Sequence, residues 1–121
     1  MKVVINSDFG GFGLSDEAFE KLLDRKGIAW EKCRNKYDMF DHYEKGHMGE
    51  GEHYLCCHEL TGNRADTDLV AIVEEMGRKA SGDFASLVVV EIPDNVQWHI
   101  HEHDGMEHVA ENHRTWYGNY E

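Results

Sequence analysis

The sequence predicts an α+β fold: a single layer of mainly antiparallel sheet, two helices packed on it, and a C-terminal three-stranded meander. Three observations lead there. The stretch from Leu87 to Trp116 opens with the β-branched run Leu87-Val88-Val89-Val90-Glu91-Ile92 and turns at Pro93-Asp94. It turns again at Asp104-Gly105, a pair that accepts the positive backbone angles of a two-residue hairpin. Leu69, Ile72, Val73 and Met76 recur at i, i+3, i+4 and i+7, the spacing of a helix with one apolar face. A second apolar face, Ala18, Phe19, Leu22 and Leu23, follows the helix-capping residue Ser15.

Taken in order, Val3-Val4-Ile5 is a short strand that enters a turn at Asn6-Ser7-Asp8, and Gly10-Gly11-Phe12-Gly13 is a loop. Ser15 caps the first helix, Asp16 and Glu17 suit its positive end, and Arg25, Lys26 and Gly27 close it. Ile28-Ala29-Trp30 is a second short strand. Between about 33 and 63 the chain becomes polar and aromatic with Gly46, Gly49 and Gly51, an irregular excursion leading to a strand at Tyr54-Leu55-Cys56-Cys57. Asp66-Thr67-Asp68 opens the second helix, Glu74, Glu75, Arg78 and Lys79 are its solvated face, and Ser81-Gly82 ends it.

Composition bounds the function. A chain of 121 residues suits one domain, because two halves of about 60 residues would each bury a marginal core. The formal charge of −12 disfavours gripping nucleic-acid phosphates through a broad basic surface, and protonation of the nine histidines would cancel most of it. Three cysteines without framework spacing predict reduced thiols in a cytoplasmic compartment. No apolar run is long enough for a signal peptide or a membrane span. An exposed sheet edge needs cover, and a homodimer is the commonest cover.

Four groupings bear on chemistry. The loop at Gly10 and Gly11 lies between a strand and a helix start, where exposed N–H groups receive anions; a tight structural turn explains the same glycines. His113-Arg114-Thr115-Trp116 joins an imidazole, a guanidinium and an aromatic plane, which recognise phosphate and stack on a base. Arg64, one of five arginines, would join His113, Arg114 and Trp116 in a ligand site; the plainer reading has Trp116 covering a sheet edge and Arg114 pairing with a carboxylate. In the hairpin register set by Asp104-Gly105, His103 faces Met106, Glu102 faces Glu107, His101 faces His108, Ile100 faces Val109 and His99 faces Ala110. Val96, Trp98, Ile100 and Val109 then share the core side. His99, His101 and His108 share the other with His103, and these three imidazoles could ligate zinc or simply face solvent. Glu102 and Glu107 fall opposite the histidines, away from any water such a metal would bind. Lastly, His53, Cys56, Cys57 and His58 are potential ligands, but adjacent cysteines in a strand point to opposite faces.

Lys2-Val3-Val4-Ile5-Asn6 with Gly10-Gly11-Phe12 and Leu14-Ser15, the helix Arg64 to Gly77, and Val90-Glu91-Ile92-Pro93-Asp94 through Asp104-Gly105 to Glu111-x-His113-Arg114-Thr115-Trp116 together resemble a family of small proteins encoded by bacteriophages and bacteria. The resemblance covers about two thirds of the chain. The sequence departs from it between Cys33 and Asn63 and in the histidines of Trp98 to His103. A phage setting implies host takeover or anti-defence work, for example sequestration of a host nucleotide signal. The expectation is a non-enzymatic binder of a small phosphorylated, nucleotide-like ligand at Gly10, Gly11, Arg64, His113, Arg114 and Trp116. Two alternatives stand beside it: an acidic inhibitor of a host protein, or DNA mimic, and a zinc-dependent hydrolase using the hairpin histidines.

Overall fold

In the computed structural model, which describes residues 1–112, an α+β arrangement is built from small antiparallel sheets and three helices. Strand β1 (Lys2–Asn6) pairs with β5 (Leu87–Glu91). Strands β2 (Trp30–Arg34), β3 (Phe40–Glu44) and β4 (Tyr54–Leu55) form a second sheet, and β6 (Trp98–His103) and β7 (Met106–Glu111) form a hairpin. Helices α1 (Asp16–Arg25) and α3 (Thr67–Met76) are the long ones, and α2 (Cys57–Leu60) is a single turn.

The apolar faces of α1 and α3 meet over β1 and β5. Ala18, Leu22, Leu69, Val70, Ile72 and Val73 are buried together with Val4, Ala80 and Leu87. Ser15 caps α1 as expected, its hydroxyl accepting from the Ala18 N–H at 3.2 Å and donating to the Lys79 carbonyl at 2.6 Å, so the cap also ties the helix to the turn that follows α3. Helix α3 ends earlier than Ser81-Gly82: Gly77 takes a φ of +59° and a 3-10 turn, Gly77–Ala80, follows.

Within the α+β class, the C-terminal meander resolves into a hairpin and a separate strand. β5 pairs with β1, apolar against apolar, as Val3↔Val90, Val4↔Val89 and Ile5↔Val88. β1 is buried from Val3 to Asn6, so both its faces and its hydrogen-bonding edges need partners, and the apolar run at 87–91 supplies one edge. The chain start holds the next segment: the Met1 amino group bonds the Ile92 carbonyl at 2.8 Å and pairs with Asp94, and Ile92 N–H donates to Met1 O at 2.8 Å. Pro93-Asp94 therefore leads away from β5 instead of folding β6 back onto it.

The excursion at 33–63 is a sheet followed by a helical turn. Its pattern is hard to read because polar residues face inward. His42 on β3 is 4% exposed, its ring edge-on to Phe19 and Trp30, and its Nε2 lies 2.9 Å from Glu20 Oε2 on α1. Lys32, paired with His42 across β2 and β3, also reaches Glu20, at 2.6 Å. Burial alone would raise the Glu20 carboxyl, but the hydrogen bonds from Lys32 and His42 outweigh it and hold the group below its ordinary value.

Candidate functional site

Where the hairpin meets the body, its turn seats on the glycine loop. Asp104 and Gly105 take φ values of +50° and +88°, as the two-residue turn requires. A Cβ at Gly105 would sit 2.4 Å from Phe9 O and 2.5 Å from Gly11 N, so glycine is needed for close approach as well as for conformation.

Asn6, at the end of β1 and fully buried, is the joint. Its Nδ2 donates to the carbonyls of Asp8 at 2.6 Å and Gly105 at 2.7 Å, and its Oδ1 accepts from Ser86 N at 2.9 Å. Its backbone N–H donates to Glu107 Oε1 at 2.8 Å. One buried side chain thus ties together backbone groups of three segments. Beside it, Arg64 makes a two-pronged pair with Glu107, Nη1 to Oε1 at 2.7 Å and Nη2 to Oε2 at 3.0 Å. The side chains are 17% and 8% exposed. The guanidinium lies 3.6 Å from the centre of the Phe12 ring, and the Arg64 carbonyl accepts from Val4 N–H at 2.8 Å, which covers β1's second edge.

Around this joint opens a cleft of about 550 Å³ lined by Gly11, Phe12, His58, Thr61, Gly62, Arg64, Ile100, Glu102, Gly105 and Glu107. Its size falls within the common range for small-ligand pockets. The lining offers donors and acceptors of both kinds. Among the described residues, Arg64 retains N–H groups beyond those given to Glu107 and Val4, His58 is exposed at the mouth, and Glu102 accepts from Gly105 N–H while keeping its second oxygen. With two carboxylates against one paired guanidinium, the walls oppose a bare phosphate and suit a ligand with mixed hydrogen-bonding edges.

Of the residues expected to bind a ligand, Gly11 and Arg64 line this cleft together. Gly10 does not: a Cβ there would lie 1.9 Å from Phe84 O, so its role is tight packing against that segment. His113, Arg114 and Trp116 lie outside the described residues. The last described residue, Asn112, donates from its N–H to Gln97 O at the open end of the hairpin, opposite the turn that borders the cleft.

The hairpin register is the one expected, from Trp98↔Glu111 to His103↔Met106. The expected zinc ligands only partly converge. His101 and His108 have ring centres 4.8 Å apart, whereas His99 Nδ1 is turned to Asn112 Oδ1. Glu107 faces the cleft and Arg64, on the side away from those histidines. Cys57 opens α2 rather than continuing a strand, and with Cys56, His42 and His58 it lines a second cavity of about 200 Å³. Burial and the neighbouring Cys56 push its thiol above the ordinary value, the opposite of what a reactive nucleophile needs.

Sequence reasoning missed Asn6 as a joint and Glu107 as Arg64's partner. Its only available signal was the hairpin register, which sends Glu107 to the core side where a carboxylate must find a cation. Fold and site together define a small α+β protein with a mixed-charge cleft at a hairpin–body junction. Comparison with protein-family models, curated proteins and solved structures finds no match for the chain.

Proposed function

We propose that this protein is a non-enzymatic binder of a small nucleotide-like ligand, working in the cytoplasm, with the base and sugar in the Arg64–Glu107 cleft and any phosphate turned to solvent. The observation that carries the reading is the convergence of the glycine loop, the Arg64–Phe12 stack and two carboxylates on one cleft of about 550 Å³. A flat guanidinium–aromatic stack is a wall on which a base packs, and carboxylates accept from the amino groups at base edges. The phage setting implied by the resemblance makes a host nucleotide signal the natural ligand class.

Thermal-shift screening with nucleosides and with mono-, di- and cyclic nucleotides tests it. A true ligand at about 100 times its Kd adds about 2.7 kcal/mol. Stabilisation should weaken in His58→Ala, whose side chain is exposed at the cleft mouth, while the ligand-free melting temperature stays unchanged. No stabilisation by any of these compounds at millimolar concentration overturns the proposal. The charge of −12 favours a second reading, an acidic surface that occupies a host DNA-binding protein. Capture of such a partner from bacterial lysate at low salt, with release at high salt, supports that reading; recovery of none at low salt removes it.

A further inference from the structure

We infer that the β3–β4 connection is a binding site for one divalent transition-metal ion of the zinc class, with Glu44, His47 and His53 as ligands. The site is separate from the cleft and from the hairpin histidines, and is built from a three-residue repeat. Glu44, His47, Glu50 and His53 are each three residues apart, and backbone bonds join them in sequence: His47 N–H to Glu44 O at 3.0 Å, Glu50 N–H to His47 O at 3.0 Å, and His53 N–H to Glu50 O at 3.1 Å. Gly46 and Gly49, with φ of +89° and +86°, take the third position of the first two turns, where a type II turn needs a positive angle. Successive turns of this kind bring every third side chain to one side. The ends are anchored, because Tyr43↔Tyr54 is a paired position of β3 and β4, which sets Glu44 opposite His53.

Ligand atoms of Glu44, His47 and His53 all lie within 4.8 Å of one another. Glu50 and Glu52 stand beside them, with Glu50 Oε2 3.1 Å from His47 Nδ1. His53 carries the argument. Its Nδ1 is 3.2 Å from Glu44 Oε2, while its Nε2 is 3.7 Å from Glu50 Oε2 and 3.6 Å from Glu52 Oε1. A neutral imidazole has one N–H, so one of its nitrogens must aim a lone pair at a carboxylate unless a cation sits between them. A metal ion among these carboxylates and imidazoles supplies that cation, and His47, stacked on His53 at 3.7 Å, lies close enough to share it. Two imidazoles and a carboxylate are a borderline-soft donor set suited to zinc and poorly suited to magnesium or calcium, and they leave a fourth position open. Parallel rings cannot both point in-plane at one ion, so loading unstacks them, and their partial exposure leaves room for that rotation.

The test is zinc titration of tag-free full-length protein, followed by calorimetry and by the ring resonances of the two histidines. One equivalent of Zn²⁺ should bind at pH 7.5, with shifts at His47 and His53, and binding should weaken at pH 5 as protons compete for the nitrogens. His47→Ala and His53→Gln should each weaken binding at least about tenfold. His101→Ala should leave it unchanged, and magnesium should not compete. Circular dichroism and melting temperature confirm that each variant folds; should His47→Ala unfold, the exposed Glu44→Gln replaces it with the same expected loss. Absence of saturable uptake overturns the inference in favour of a proton-bridged cluster, and uptake abolished by His101→Ala but unaffected by His47→Ala relocates the metal to the hairpin and equally overturns it.

Discussion

Removing the Glu107 carboxylate should cost far more than loss of a surface ion pair. In Glu107→Ala, Arg64 stays in place at 17% exposure with its two-pronged partner gone, and Asn6 N–H loses its acceptor in a fully buried position. Breaking a buried pair from one side costs about 3–5 kcal/mol, and the residual exposure of Arg64 puts this case at the lower end. The orphaned Asn6 N–H adds about 1–3 kcal/mol. A total near 4 kcal/mol is a large fraction of the roughly 5–15 kcal/mol that holds a domain of this size. In urea, with a slope of about 1–3 kcal/mol per molar, the unfolding midpoint should fall by more than about 1 M. Pairing the change with Arg64→Met removes the stranded charge, so the double variant should recover at least about 1 kcal/mol relative to Glu107→Ala alone. A single-variant loss of about 0.5 kcal/mol or less would place the pair with ordinary surface salt bridges and refute the joint described here. Simple additivity in the double variant would refute it as well.

Gly105→Ala should destabilise by at least about 2 kcal/mol, because a left-handed alanine costs about 1–2 kcal/mol and its Cβ would also strike Phe9 O; amide exchange at Asn6 should quicken in parallel, and unchanged exchange would show that the turn does not dock there. The depressed Glu20 carboxyl stabilises the folded state above its unfolded value near 4.5, and that contribution is lost as pH falls through the still lower folded value. Wild type should therefore lose its advantage over Glu20→Gln as pH drops from 6 towards 3, and a constant difference in unfolding midpoint across that range contradicts the assignment. Cys57, half-buried with a raised thiol, should react with iodoacetamide at pH 7.5 more slowly than a free cysteine, as followed by peptide mass spectrometry; equal rates would mean the thiol is not buried.

Local pattern was enough to place α1 and α3, with their buried faces at Ala18, Phe19, Leu22, Leu23 and at Leu69, Ile72, Val73, because a 3.6-residue period needs no knowledge of partners. The hairpin register from Trp98 to Glu111 was legible for the same reason: the Asp104-Gly105 turn fixes every pair through its own backbone angles. Which strand β5 joins was not, since the partner β1 lies more than eighty residues away and the choice rests on matched apolar runs and on the Met1 amino group holding Ile92 and Asp94. Within 33–63 the strand at Tyr54-Leu55 was legible, but β3 escaped notice because its inward residue His42 is polar and is tolerated there through Glu20, a carboxylate on another element. Sequence could single out Arg64 as rare and the glycine loop as permissive, but Arg64 meets Glu107 only after β1, the hairpin and the approach to α3 have closed on Asn6. A charge can be placed in a cleft when its counter-charge arrives with it, and only tertiary folding delivers both.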